Sequence, residues 1–422
     1  MKKAIIPIFL FLIQIYLLLC SVPNHDISKE INPFVLLAVS LFLPAYYLWY
    51  FITKQDTFPA IGSTSFSKKL IGFVLGCCSV LLLFSIIRHM FQEYNNYAQL
   101  SDVVPAVEAL YSRFKAGVQP YAPLEQYSWH PYPLYLPLYW LPAAVTDIVG
   151  INIRWTGIFM FVIAAGVFGI YCWKSQKNIL LIIIALILPS VGVWAYLIWG
   201  RFDVSVSFEF IIAAYYLILA TGLASRNLPL TTAGIICCLL SRFTLIFWIP
   251  IFVPVLWINV PKKQTITSAI IVLIAIFGIY IIPFLLRDPS TFLAGLKAHR
   301  ACGIAEWNGY GEPPVSWTFE SGIHLAPYFK KLFNGDIEHR VKTTQLWQTI
   351  LMLITVVTSL LLYRKWKDKI NFYDYSLPFL YLVMLLYFMT APLTFKYYYL
   401  PLLVVSGVLC AKILLSENKV KG

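Results

Sequence analysis

Apolar runs of bilayer length recur along this chain, and a polypeptide that carries them has few folds open to it. In hydrocarbon every backbone amide and carbonyl needs a partner within its own segment, so a run of about 20 apolar residues is expected to cross as an α-helix. Runs of adequate length cover Ala4 to Cys20, Pro33 to Ile52, Leu70 to Ile87, Trp155 to Trp173, Ile179 to Trp199 and Val204 to Leu223. They continue at Ser268 to Leu286, Thr344 to Tyr363, Leu377 to Met389 and Tyr397 to Leu415. Leu230 to Trp257 is too long for one crossing and holds Arg242 in its middle, so it reads as two helices meeting at that arginine. The expected fold class is all-α: a polytopic integral membrane protein with about 12 transmembrane helices.

Charge sorting gives the expected orientation. Placing the N-terminus inside, as Lys2 and Lys3 suggest, puts Lys54, Lys68, Lys69, Lys174, Lys177, Arg226, Lys262, Lys263, Arg364, Lys365, Lys367 and Lys369 in inner loops. With the termini, that side carries 17 basic and 4 acidic residues; the rest of the chain holds 15 of each, so the +13 excess falls on one side. The pI of 9.2 then follows topology and does not mark a nucleic-acid groove. Composition agrees: 60% hydrophobic and 12% charged residues leave too little polar surface for a water-soluble core. The expected location is a bacterial cell (inner) membrane, with both termini cytoplasmic. Leu17-Leu18-Leu19-Cys20 faintly resembles a lipoprotein cleavage site, but Leu19 is too large for the usual small residue. The eight cysteines fall almost all within spans and indicate neither a disulfide framework nor a zinc site.

Two long outer regions organise the rest, residues 89–154 and 288–341. They divide the chain into two N-terminal transmembrane helices (1–66), a module holding the first outer loop (67–260) and a C-terminal part holding the second (261–422). In the first loop, Val103 to Phe114 has apolar residues at helical spacing and reads as a helix lying on the membrane, ended by Gly117 and Pro120. Pro131 to Ile148 is apolar, yet Pro131, Pro133, Pro137 and Pro142 interrupt it. It reads as an interfacial or re-entrant segment, with Tyr132, Tyr135, Tyr139 and Trp140 at headgroup depth; the competing reading is a short kinked span.

Ionisable residues converge on this outer layer. Arg201 and Asp203 emerge at the end of one span, Arg242 at the junction of the split pair, Lys396 at another outer end, and His299 and Arg300 in the second loop. Asp102 opens the first-loop helix. Cations suit a phosphate leaving group, because arginine binds phosphate bidentately and stabilises charge as the bond to phosphate breaks. Asp102 would accept the proton of an attacking hydroxyl. The blander readings are an N-cap role for Asp102, using amides near Pro105 and Ala106, snorkelling anchors for Arg201 and Lys396, and ordinary loop structure for His130. No metal-ligand cluster or glycine-rich phosphate loop competes. In the second loop Trp307, Glu312, Trp317, Glu320 and His324 are expected to shape an acceptor site.

These residues resemble an ordered pattern. Asp102 is followed by an Ala-rich helix and Gly117-Val118-Gln119-Pro120-Tyr121, then by His130-Pro131-Tyr132-Pro133-Leu134. Gly200 to Asp203, Ala233-Gly234 leading to Arg242, and Lys396-Tyr397-Tyr398-Tyr399 complete it. In this the chain resembles, over roughly Leu70 to Leu415, the GT-C superfamily of polytopic glycosyltransferases, and within it the bacterial polyprenyl-phosphate-mannose-dependent mannosyltransferase-like membrane proteins. The resemblance implies inverting transfer of a mannose-like hexose from a polyprenyl-phosphate sugar donor to a lipid or glycan acceptor on the non-cytoplasmic face. Asp102 matches the catalytic base, and Tyr121, His130, Arg201, Asp203, Arg242, His299, Arg300 and Lys396 are the candidate substrate-binding residues. Members often carry lysine at the position of Arg242 and glutamine at that of Arg201. The aspartate pair of metal-dependent relatives is missing at Asp102, so neither an obligatory metal nor a cofactor is expected. The alternative from another class is a lipid or polysaccharide transporter or flippase, although such proteins usually place ionisable residues at the bilayer midplane and show internal repeats.

Overall fold

The computed structural model describes residues 2–20, 26–54, 65–81, 83–127, 130–175, 177–309 and 323–416. Among them every regular element is helical. In chain order these are α1 (Lys2–Cys20), α2 (Asp26–Lys54), α3 (Phe66–Leu81), α4 (Phe84–Glu93), α5 (Tyr97–Leu100), α6 (Val103–Lys115), α7 (Pro137–Trp140), α8 (Ala144–Val149), α9 (Trp155–Trp173) and α10 (Ile179–Trp199). The second half holds α11 (Arg201–Ser205), α12 (Glu209–Ala224), α13 (Leu228–Leu239), α14 (Ile249–Asn259), α15 (Lys262–Ile276), α16 (Pro289–Asn308), α17 (Ala326–Leu332), α18 (Ile337–Trp366), α19 (Phe372–Thr390) and α20 (Leu400–Leu415).

Eight helical stretches among the described residues are long and apolar enough to cross a bilayer: Pro33–Lys54, Phe66–Glu93, Trp155–Trp173, Ile179–Ile198, Lys262–Leu285, Ile337–Trp366, Phe372–Thr390 and Lys396–Leu415. Lys3–Leu18, Glu209–Ala224, Leu228–Leu239 and Ile249–Asn259 are apolar but shorter. The chain is therefore a multi-pass membrane protein. Two of these shorter apolar helices arise where the sequence itself breaks: α13 and α14 are parted at Arg242, whose backbone is extended (φ −153°, ψ 143°), with a 3-10 turn over Phe243–Phe247.

A helix that is apolar all round must be either buried or bathed in lipid, and both kinds occur. Every residue of α20 is buried, and all but Ile218 of α12, so these helices form the centre with α19 beside them. On α15 and α18, Ile270, Leu273, Ile274, Leu353, Ile354 and Val357 are exposed, as lipid-facing positions would be. Small residues allow the closest approach, between α3 and α9. A Cβ at Gly72 would stand 2.8 Å from the Gly169 carbonyl oxygen, and one at Gly76 would run into that of Ala165.

Alternating helix direction gathers polar ends into two layers. At one end Lys3 donates to Ser416 Oγ at 2.9 Å, Tyr50 and Ser416 share a hydrogen bond of 2.7 Å, and Asp374 holds both Arg226 and the fully buried Lys412. The other end carries both long loop regions. There residues 131–149 form no helix of bilayer length: they form α7, a 3-10 turn at Leu141–Ala143 and α8, with Pro137 and Pro142 at element starts. The Leu138 amide donates to the Leu240 carbonyl and the Tyr215 hydroxyl to the Leu138 carbonyl, both at 2.8 Å. Tyr139 and Trp140, expected at headgroup depth, are instead packed inside the protein, because these bonds pull the segment onto α12 and α13.

Candidate functional site

Asp102 stands at the N-cap of α6, yet its side chain makes no capping bond. An N-cap side chain accepts a hydrogen bond from the second or third helical amide; the third residue here, Pro105, has none, and Asp102 has a helical backbone (φ −85°, ψ −10°) in place of the extended one of a cap. Ser101 Oγ accepts from the Val103 amide at 3.2 Å, so the turn is held by the neighbour. The carboxylate forms no ion pair among the described residues and is left facing the loop layer.

Helix α16 supplies its surroundings. Asp288 caps α16, accepting from the Thr291 amide at 3.1 Å, and Gly295 lets the helix lie against Tyr132 and Leu134. His299 and Cys302, one turn apart, are thereby brought within electrostatic reach of Asp102. Surrounding protein raises the Asp102 pKa above 3.8, and His299 partly offsets this. The same crowding lowers the His299 pKa below 6.5, against a pull upward from Asp102. His299 is nevertheless solvent-accessible, as a residue in an open crevice between protein walls would be.

A tyrosine layer joins Asp102 to a buried ion pair. Tyr135 lies within reach of both Asp102 and Glu209 and stacks on Tyr139 with ring centroids 4.5 Å apart; Tyr139 donates to Glu209 at 3.4 Å. Glu209, the first residue of α12 and only 1% exposed, grips Arg242 bidentately, with one bond of 2.8 Å. The Arg242 guanidinium also lies 4.3 Å from the Tyr398 ring centroid. Its charge is thus already answered within the protein. Asp203 and Lys396 form a further acid and base pair beyond hydrogen-bond distance, and desolvation raises the Asp203 pKa while Lys396 lowers it. Arg201 is exposed and influences Tyr94.

Of the residues anticipated from sequence, Asp102, His299, Arg242, Asp203, Lys396 and Arg201 share this end of the molecule. Three others are engaged elsewhere. Tyr121 is buried in an aromatic cluster with Trp140 and Phe284, His130 is exposed and pairs with Glu125 at 3.0 Å, and Arg300 pairs with Glu338 at 3.1 Å. In the second loop Trp307 donates to the Pro392 carbonyl at 2.8 Å and His324 accepts from the Ala326 amide at 3.2 Å. Both are buried and brace the fold, while Glu312, Trp317 and Glu320 lie outside the described residues. Sequence reasoning passed over Glu209, although an acid within an apolar run is the same signal that singled out Arg242. Among the described residues no three His, Cys, Asp or Glu side chains converge as a metal ligand set. Scans against protein-family models, the curated proteins and the solved structures find no match.

Proposed function

We propose that this chain is a membrane glycosyltransferase of the GT-C kind, moving a mannose-like hexose from a polyprenyl-phosphate sugar to a lipid- or glycan-borne hydroxyl. In this reading the chain crosses a bacterial inner membrane about 12 times with both termini cytoplasmic, and Asp102 works on the outer face. The observation that carries it is the Asp102 carboxylate, uncapped, without an ion pair and partly desolvated beside His299.

The chemistry follows from that state. The acceptor oxygen attacks the anomeric carbon from the face opposite the phosphate, and the carbon–oxygen bond to phosphate breaks. The phosphate leaves with the bonding electron pair while Asp102 takes the acceptor's proton, so the product is inverted. A raised pKa makes Asp102 a stronger base than a surface aspartate. Because Arg242 is bound to Glu209, the charge available to the departing phosphate comes from Lys396 and Arg201. Arg242 instead orients Tyr398, and through Glu209 and Tyr139 the stacked Tyr135.

The test uses purified protein in lipid with a panel of polyprenyl-phosphate sugars and membrane extract, following release of polyprenyl phosphate. Asp102→Asn is expected to fold and to lose at least about 99% of turnover, as removal of a general base does. Near-normal turnover in that variant would sink the assignment. The second reading is a lipid or polysaccharide flippase; the buried ion cluster of Arg226, Asp374 and Lys412 is the feature it would use, although it lies in the end layer and not at the midplane. Lipid translocation without any donor consumption would move that reading ahead.

A further inference from the structure

A cleft of about 540 Å³ lies between the C-terminal end of α4 and the N-terminal end of α9, apart from the surroundings of Asp102. Arg88 and Arg154 both line it, and none of its lining residues is acidic. Arg154 is 3% exposed, a charge inside the protein. Its guanidinium donates to the carbonyl oxygens of Phe91 (3.0 Å), Tyr94 (3.1 Å) and Ser205 (3.2 Å), and its Nε to Asn152 Oδ1 (3.1 Å). The rings of Phe91 and Tyr97 each lie 4.4 Å from it. All of these partners are neutral, so they fix the arginine in place without cancelling its charge. The nearby acid, Glu108, accepts from the Tyr97 hydroxyl at 2.6 Å and offsets part of the Arg154 charge from outside the cleft lining, without forming an ion pair with it among the described residues. Arg88 is exposed and has no ion-pair partner among the described residues.

Two cations facing a cavity repel each other, an arrangement that an anion relieves. The surrounding groups narrow the choice of anion. Gln92, Asn95 and Asn152 add amide donors to the cleft, which suits an oxyanion with several acceptor oxygens. Position narrows it further: α4 closes the candidate span Phe66–Glu93 and α9 forms the candidate span Trp155–Trp173, so the cleft lies at the ends of two bilayer-length stretches, the depth at which lipid phosphates lie. Trp155, stacked on Phe84 with centroids 5.3 Å apart, gives the rim the amphipathic ring typical of that depth.

We propose that this cleft binds the phosphate of an anionic ligand, with Arg88 as the contacting cation and Arg154 as the fixed charge behind it, and that the natural source is a net-negative phospholipid headgroup. The proposal does not depend on the transferase reading.

The full chain is reconstituted in discs of phosphatidylcholine containing phosphatidylglycerol, and the lipids retained on the protein are counted by native mass spectrometry for wild type, Arg88→Gln and Arg88→Lys. Wild type is expected to enrich phosphatidylglycerol over phosphatidylcholine. Arg88→Gln is expected to lower that enrichment about tenfold and Arg88→Lys to restore part of it. Because Arg88 is exposed and has no ion-pair partner among the described residues, neither variant removes a described contact that holds the fold. Inorganic phosphate, titrated against thermal unfolding, separates the sources: stabilisation that equals that of phosphatidylglycerol and is lost in Arg88→Gln keeps the site and assigns it a soluble phosphate. Equal lipid enrichment in wild type and Arg88→Gln, with no Arg88-dependent response to phosphate, overturns the proposal.

Discussion

A proline in the first turn of α6 decides what Asp102 is free to do. With alanine at position 105 a further amide would be offered to the carboxylate as a cap; with proline the acid keeps only its own backbone amide and makes no cap bond. Its coupling to His299 has a pH consequence. Imidazolium at position 299 favours the ionised Asp102, so removing it lets the Asp102 pKa climb further above 3.8. A base works only when deprotonated. The acid limb of kcat/KM for His299→Gln is therefore expected at higher pH than in wild type, with the neutral plateau retained; an unmoved limb would uncouple the two residues. A second residue-scale prediction concerns the buried pair. Glu209→Gln strands the Arg242 charge and is expected to cost about 3–5 kcal/mol in a thermal or denaturant unfolding series. Glu209→Gln combined with Arg242→Met is expected to recover most of it. Sequence singled out Arg242 and missed its partner because the two are 33 positions apart, and only folding places them on facing helix ends.

Helices were legible where periodicity and breakers were strong. Proline spacing marked the segment around 131–148 as interrupted, and it does form only short helical pieces; the arginine break in residues 230–257 was plain from length. Which side chains that segment turns inward was not, since this depends on single bonds from Leu240 and Tyr215 to residue 138. The tight contact of α3 with α9 was also missed, although Gly72 and Gly76 are spaced to lie on one helical face. Gly76→Ile is expected to force these helices apart and to cost about 1–3 kcal/mol, read as a lower unfolding temperature in detergent. Unchanged stability would mean that the two helices do not bear on each other in the membrane.

Over the whole molecule, charged positions assigned to one side from sequence meet at one end: Lys3, Arg226 and Asp374 lie in the polar layer opposite the loops. The loop end gathers Asp102, Asp203, Arg242 and Lys396. Cysteines introduced at Asp203 and Lys177 are accordingly expected to label from opposite faces of sealed vesicles, Asp203→Cys from outside and Lys177→Cys from inside; labelling from a common face would overturn the alternation. Side chains such as Tyr121 and Arg300 were not assignable from their positions, because a residue can share a layer with the candidate site and still point at another neighbour.

The pairing of Glu209 with Arg242 also bears on how the protein is made. Translation delivers the glutamate first, at the head of α12, and the arginine only after α13 has followed. Arg242 therefore reaches the membrane when its counter-charge is already waiting there, and the two short helices around it can leave the insertion machinery as a hairpin with a neutralised tip. A chain started after α12 would present the same arginine without Glu209.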